Sequence, residues 1–279
     1  MILISLRHPV RLCATAMLAL FMHTGISQAS EDKLNLEYDF IGGGLRILAV
    51  TFDLTFDKKT YLAKSQIKTK GVANLFTKSI SYLGVRGTLD AKKAHPAEFQ
   101  SRVENSKGHK TSHISWLAKG IQKITVLPKM KEYRKNSIDK ALKPGFPDPL
   151  SALVNITFST DKLCRNKIRS FDGRKIFDFK LTYLGEETLH KGDAGAYFGR
   201  AHKCSFKNIP VAGYSEKKMK QHRSKPTPAY TVWFAPIRSA SARETLYVPV
   251  KAKGTINWAS VNVVMTKGML NGKPLSTSQ

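Results

Sequence analysis

The chain has 279 residues, 42% of them hydrophobic, which is ample for a folded core. It carries 46 Lys and Arg against 20 Asp and Glu, a formal charge of +26, so its surface attracts polyanions at long range. The N-terminus reads as an export signal, which argues against nucleic acid and leaves anionic lipid headgroups, lipopolysaccharide phosphates or acidic envelope polymer; the plainer reading is a lysine-rich composition with no partner.

Arg7 and Arg11 supply the positive region of that signal, and Leu12 to Met22 is an apolar run shorter than the ~20 residues of a membrane span. Ser27 and Ala29 place small residues before a cleavage point at Ser30. Cys13 stands at the start of the apolar run, where a lipoprotein signal would not have it. The expectation is a signal peptide over 1–29 and a periplasmic domain over 30–279 that does not span the membrane once the signal is removed. An uncleaved anchor is the alternative, although no stop-transfer pattern follows.

Gly42-Gly43-Gly44 lacks phosphate-loop spacing and leads into a strand pattern, so it reads as a bend. Val50, Phe52, Leu54 and Phe56 alternate with polar residues, the period of a half-buried strand, and 61–68 returns as its neighbour. Val72, Leu75, Phe76, Ile80 and Leu83 follow helical spacing after Gly71 and predict a first helix. Strands are predicted over 98–105, 113–118 and 122–127. His109 and His113 sit four apart but border a strand, so they read as solvated residues and not as a metal pair. Asp148-Pro149 opens a second helix with an acidic N-cap and proline at its first position; Leu150, Leu153, Val154 and Phe158 form its apolar face.

Once the signal is removed, Cys164 and Cys204 are the only cysteines, and in an oxidising compartment two cysteines pair. Asp172-Gly173 between alternating arms predicts a two-residue hairpin turn that sets Phe171 opposite Arg174 and Lys167 opposite Asp178. Phe177, Phe179, Leu181 and Tyr183 share one face of the outgoing arm, either core or cavity wall. Further strands are predicted over 196–206, 230–235, 245–251 and 255–266, and Pro249 implies an edge or a bulge. The segment 215–228 reads as a basic, aperiodic loop.

Nucleophile elbows, zinc-protease helices, nucleotide loops and paired CxxC motifs are all absent. No catalytic residue, metal ligand or cofactor is therefore assigned. A hydrolase would need carboxylates or a Ser–His pair that converge only in space.

The ordered landmarks Tyr38-Asp39-Phe40 with Gly42-Gly43-Gly44, Asp148-Pro149-Leu150-Ser151-Ala152-Leu153, Cys164, Phe171-Asp172-Gly173-Arg174-Lys175, Cys204, Pro210-Val211-Ala212-Gly213-Tyr214, Val232-Trp233-Phe234 and Val248-Pro249-Val250 span nearly the whole mature chain. In these the chain resembles the bacterial secreted family catalogued as domain of unknown function 3108. The resemblance implies a fold similar to the lipoprotein carriers: α+β and mostly antiparallel β, a curved half-barrel sheet wrapped around two or three helices with an apolar hollow between them. It implies no catalytic residues.

Two functional expectations follow. The first is a non-enzymatic carrier holding a lipid or acyl chain, its cavity walled by Phe52, Phe56, Phe76, Leu153, Phe177, Phe179 and Tyr183. The second is an envelope structural or assembly factor that meets an anionic polymer or partner through Lys217, Lys218, Lys220, Arg223 and Lys225.

Overall fold

Fourteen strands and four short helices appear in a computed structural model that describes residues 31–275, apart from 91–92, 118–119, 121, 160–162, 166, 226, 240–243 and 257–258. The export signal expected over 1–29 lies outside the described residues. The first half holds β1 (Asp32–Gly42), β2 (Leu45–Phe56), β3 (Thr60–Thr69), α1 (Ala73–Phe76), β4 (Ser79–Asp90), β5 (Lys93–Asn105), β6 (Gly108–Trp116) and β7 (Gln122–Leu127). The helices α2 (Glu132–Ala141) and α3 (Pro149–Thr157) follow, then β8 (Lys167–Phe171), β9 (Ile176–Ala194) and β10 (Tyr197–Ala212). Helix α4 (Glu216–Ser224) precedes β11 (Tyr230–Ser239), β12 (Glu244–Ile256), β13 (Ala259–Leu270) and β14 (Lys273–Pro274).

One antiparallel sheet runs in the order β7-β6-β5-β4-β3-β2-β1-β13-β12-β11-β10-β9-β8, with β14 beside β13. Nearly every neighbour pair is a local hairpin. The exception is β1 with β13, which joins the two ends of the chain at the middle of the sheet.

The sheet is strongly curved. Helix α3 touches both β5 and β12. Those strands lie six spacings apart in the sheet order, roughly 29 Å if the sheet were flat, whereas a nine-residue helix is about 14 Å long. The two free edges also meet. From the β8–β9 turn the Arg174 guanidinium donates to the carbonyls of Leu127 at 2.6 Å and Pro128 at 2.8 Å, and to Thr111 of β6 at 3.3 Å. Twelve flat spacings would hold these edges roughly 58 Å apart. Among the described residues the strands do not pair across the seam, so the sheet is brought round further than a half-barrel without being closed.

The interior face follows the alternation read from the sequence. Phe52, Leu54 and Phe56 of β2 are buried, as are Leu34 and Leu36 of β1 and Leu246, Val248 and Val250 of β12. Helix α3 adds Leu150, Val154 and Phe158 to this core, and the Phe158 ring meets Phe56 edge-on at 5.1 Å. A second apolar cluster lies on the opposite face: Phe234 and Tyr247 belong to it, while their neighbours Trp233, Ala235, Leu246 and Val248 belong to the main core. At its centre is the Cys164–Cys204 disulfide, closing 40 residues of chain.

Several sequence expectations require correction. The helix expected from Val72 to Leu83 is reduced to four residues, and Ile80 and Leu83 lie in β4, paired with Glu104 and Ser101 of β5. Their spacing of three suited a helix, but β3 and β5 offer ladder partners on both sides. The loop expected over 215–228 contains α4, started by Ser215, whose hydroxyl accepts from the Lys218 amide. Its helix forms around a charged sequence with no buried residue, which is why no apolar period announced it. The β8–β9 turn is two residues longer than expected: Phe171 pairs with Ile176 and Arg169 with Asp178, while Lys167 faces Lys180. Asp172 causes this by accepting from the amides of both Arg174 and Lys175, which holds four residues in the turn. The expectation for Pro249 holds in its second form: the residue sits in an interior strand at a bulge, where Trp233 pairs with Lys251 and Phe234 with Pro249.

Candidate functional site

The DPLSAL segment folds as its chemistry dictates. Asp148 Oδ1 accepts from the amides of Leu150 at 2.9 Å and Ser151 at 3.0 Å, satisfying two orphan donors of the helix start. Ser151 donates from its hydroxyl to Asp148 Oδ2 and lies 2.7 Å from the Tyr61 hydroxyl on β3. Asn155 accepts from the Ala94 amide of β5 at 2.7 Å. These polar ties lock α3 against the sheet at a fixed height. Burial pushes the Asp148 carboxyl up to about 6, against the pull of its hydrogen bonds from Ser151 and Leu150.

Between α3 and the middle of the sheet this arrangement leaves an apolar cavity of about 210 Å³. Leu150, Leu153 and Thr157 line its helix side; Leu36, Tyr38 and Phe40 of β1, with Val50 and Phe52 of β2, line the sheet side. Ser65 of β3, Pro249 and Val263 complete the wall. The Tyr38 hydroxyl is satisfied within the wall, donating to the Pro249 carbonyl at 2.7 Å. Burial raises the Tyr38 phenol far above its ordinary range, which keeps it neutral.

Of the seven residues expected to wall a cavity, Phe52 and Leu153 do so. Phe56 packs in the core against Phe158. Phe76 is 87% exposed on α1. The Phe177 and Phe179 rings meet at a tilt, their centres 5.0 Å apart, and Phe179 meets Phe206 beside the disulfide cluster, on the face away from the cavity. Tyr183 is partly exposed, its ring centre 6.1 Å from that of His202. Sequence reasoning chose the aromatic strand face of β9, whereas the cavity face is largely aliphatic. Leu36, Tyr38 and Phe40 alternate along β1 and carried a usable signal.

Further hollows lie elsewhere on the sheet. A groove of about 670 Å³ crosses β2–β6 beside Gly84, between Lys64, Tyr82, Gln100, Arg102 and His113. A pocket of about 460 Å³ lies between α4 and strands β10–β12. Lys218, His222 and Lys225 line it together with Tyr214 and Tyr230, whereas Lys217, Lys220 and Arg223 do not. All five basic residues singled out in the sequence are exposed, and Lys175 lies 5.5 Å from the centre of the Tyr214 ring. The Tyr214 phenol is pushed up to about 12 by burial and by the nearby Asp172 carboxylate.

The buried carboxylates serve the fold. Asp178 receives Arg169 in two hydrogen bonds at 2.7 and 3.0 Å and Lys167 at 2.9 Å. Burial opposes its ionisation, yet these cations hold it below the usual carboxylate range. Asp32 accepts from Ser239 and from Asn271, binding the start of β1 to β11 and to the β13–β14 turn. Among the described residues no three His, Cys, Asp or Glu side chains gather as metal ligands. No described helix is long and apolar enough to cross a membrane.

A family model for DUF3108, a protein family of unknown function, matches residues 35–266. The chain belongs to the DUF3108 family. Its matched region runs from β1 into β13 and contains the cavity, the disulfide and the Arg174 seam. The curated proteins include no match to this DUF3108 chain. Among solved structures it is similar to a β-barrel-like protein of domain of unknown function DUF1849 from Brucella abortus, at 8% identity and a TM-score of 0.47, over 85% of this chain and 97% of that one. It is also similar to a protein described as a lipoprotein from Parabacteroides distasonis, at 9% identity and a TM-score of 0.34, over 86% of this chain and 96% of that one.

Proposed function

We propose that this DUF3108 protein is a non-enzymatic periplasmic carrier, its sheet wrapped around α3 so that one apolar chain segment of an envelope amphiphile is sheltered between them. The observation that supports this reading most is the cavity of about 210 Å³ with carbon-rich walls. It is smaller than the ~300–1,000 Å³ of a site for a whole drug-sized ligand. Taking a methylene as equal to the ~30 Å³ of a water, it holds about seven of them. Burying seven methylenes is worth about 5–6 kcal/mol, a Kd on the order of 0.1 mM. Cargo held this loosely exchanges readily, and its polar remainder stays outside. The Cys164–Cys204 disulfide agrees with an oxidising compartment.

The test is native mass spectrometry and lipid extraction of protein purified from the envelope, paired with titration of a fluorescent acyl analogue. A bound amphiphile and analogue binding lost in Leu153→Trp are expected. Empty protein that binds no analogue would end the carrier reading.

The basic pocket under α4 favours a second reading, an assembly factor that docks on an anionic envelope component. Neutralising Lys217, Lys218, Lys220, Arg223 and Lys225 together should then abolish salt-sensitive co-sedimentation with envelope fractions. Unchanged co-sedimentation would remove this reading.

A further inference from the structure

The β3–β4 connection presents an unusual surface. Leu75 and Phe76 are 83% and 87% exposed, the two most exposed large apolar side chains among the described residues. Val72 on the same turn and Leu45 on the neighbouring β1–β2 turn are exposed as well. Such exposure is built into the backbone. The Lys70 amide donates to the Ile47 carbonyl at 2.9 Å, and the Leu75 and Thr77 amides donate to Val72 and Ala73 at 3.1 and 2.9 Å. Gly71 adopts φ +52° where a Cβ would lie 2.7 Å from the Arg46 carbonyl oxygen, so glycine lets the two turns lie against each other. Leu75 and Phe76 are thus held outward on a hydrogen-bonded turn.

The chain segment that carries them has charge of one sign. From Lys58 to Leu89 the chain contains no Asp or Glu. Lys68, Lys70 and Lys78 flank the apolar tip and form no ion pair among the described residues. Arg46 is already satisfied by Asp39 at 2.6 Å. An apolar tip flanked by three lysines without ion pairs matches the interface of an anionic bilayer, where carbon enters the acyl boundary and ammonium groups meet headgroup phosphates. An ordinary protein partner would have to supply an apolar recess with an acidic rim; a bilayer supplies both everywhere.

The geometry points to the β3–β4 tip as a membrane-docking element that inserts Leu75 and Phe76 into an anionic lipid surface. Its place in the fold links it to the cavity. Phe40 of the cavity wall pairs with Leu48, and Leu48 with Thr69, the last residue of β3 before the tip. Docking would therefore bring the cavity end of the sheet to the bilayer, the place where an acyl segment must enter or leave. This link rests on the carrier reading, but docking itself is measured without cargo.

The experiment is flotation of the purified protein and its Leu75→Ser/Phe76→Ser variant with vesicles of phosphatidylcholine, with and without phosphatidylglycerol. Wild type should float with the anionic vesicles and much less with the neutral ones. The variant should lose about tenfold in partitioning per truncated side chain. Lys68→Gln and Lys78→Gln should each cost about fivefold, on anionic vesicles only. Because both apolar side chains are exposed, the variant's thermal unfolding should match wild type, separating docking from folding. The proposal is overturned if wild type ignores anionic vesicles, if the serine variant floats as wild type does, or if neutral vesicles serve equally well. None of these outcomes bears on whether acyl analogues fill the cavity, and an empty cavity leaves the flotation result standing.

Discussion

Replacing Asp148 by Asn tests how α3 is anchored, because it removes a titration while keeping the cap. Asn is as good an N-cap as Asp, and its carbonyl oxygen can accept from the Leu150 and Ser151 amides. Its amide would donate to Ser151, whose hydroxyl would then turn to donate to Tyr61. In the folded protein the Asp148 carboxyl is raised from 3.8 to about 6 by burial. An acid raised on folding favours the protonated folded state, so this group's contribution is fully present below about pH 4. It is lost as pH rises through about 6. The gap between the two values corresponds to about 3 kcal/mol, of which about 2–3 kcal/mol should appear between pH 4 and pH 7. Urea unfolding of wild type and Asp148→Asn at both pH values isolates it, since every other group cancels in the difference. The variant should gain about 2–3 kcal/mol relative to wild type on going from pH 4 to pH 7. A difference that is flat, or that moves in favour of wild type, would refute the reasoning. It would mean that the helix start and Ser151 hold an ionised carboxylate in comfort.

Arg174→Met removes the one guanidinium nitrogen that donates to Leu127, Pro128 and Thr111. It should lower stability by about 2–3 kcal/mol, with hydrogen exchange accelerated first in β7 and β8; unchanged exchange at those edges would discount the seam. Cys164→Ala/Cys204→Ala releases a closure of 40 residues and should cost about 4 kcal/mol in denaturant unfolding, matched by wild type under reductant. Gly213 has φ +81°, and a Cβ there would lie 2.2 Å from the Arg174 carbonyl oxygen. Gly213→Ala should therefore destabilise by about 2–3 kcal/mol, and a thermal midpoint equal to wild type would contradict the close approach.

The readable parts of this molecule were those governed by neighbours in sequence. The alternation of Val50 to Phe56 and the Asp148-Pro149 start of α3 both reflect forces acting within a few residues, and both appear as expected. Ile80 and Leu83 misled because three-residue spacing fits a helix, and the deciding ladders come from β3 and β5. Helix α2 left little trace, with Ile138 its one buried residue. The seam was invisible for a different reason: Arg174 meets carbonyls 46 to 63 residues away, and nothing near it in the chain marks that. Likewise the cavity wall joins β1, β2, β3, α3, β12 and β13, so the rings of β9, conspicuous in sequence, drew attention to the wrong face.

The most direct test of the carrier account is a crystal structure of the protein equilibrated with a terminally brominated fatty acid. The account predicts an anomalous bromine peak between α3 and the sheet, in contact with Leu36, Phe40, Leu153 and Val263. Bromine found only elsewhere, or a cavity that stays without it at saturating ligand, would contradict it.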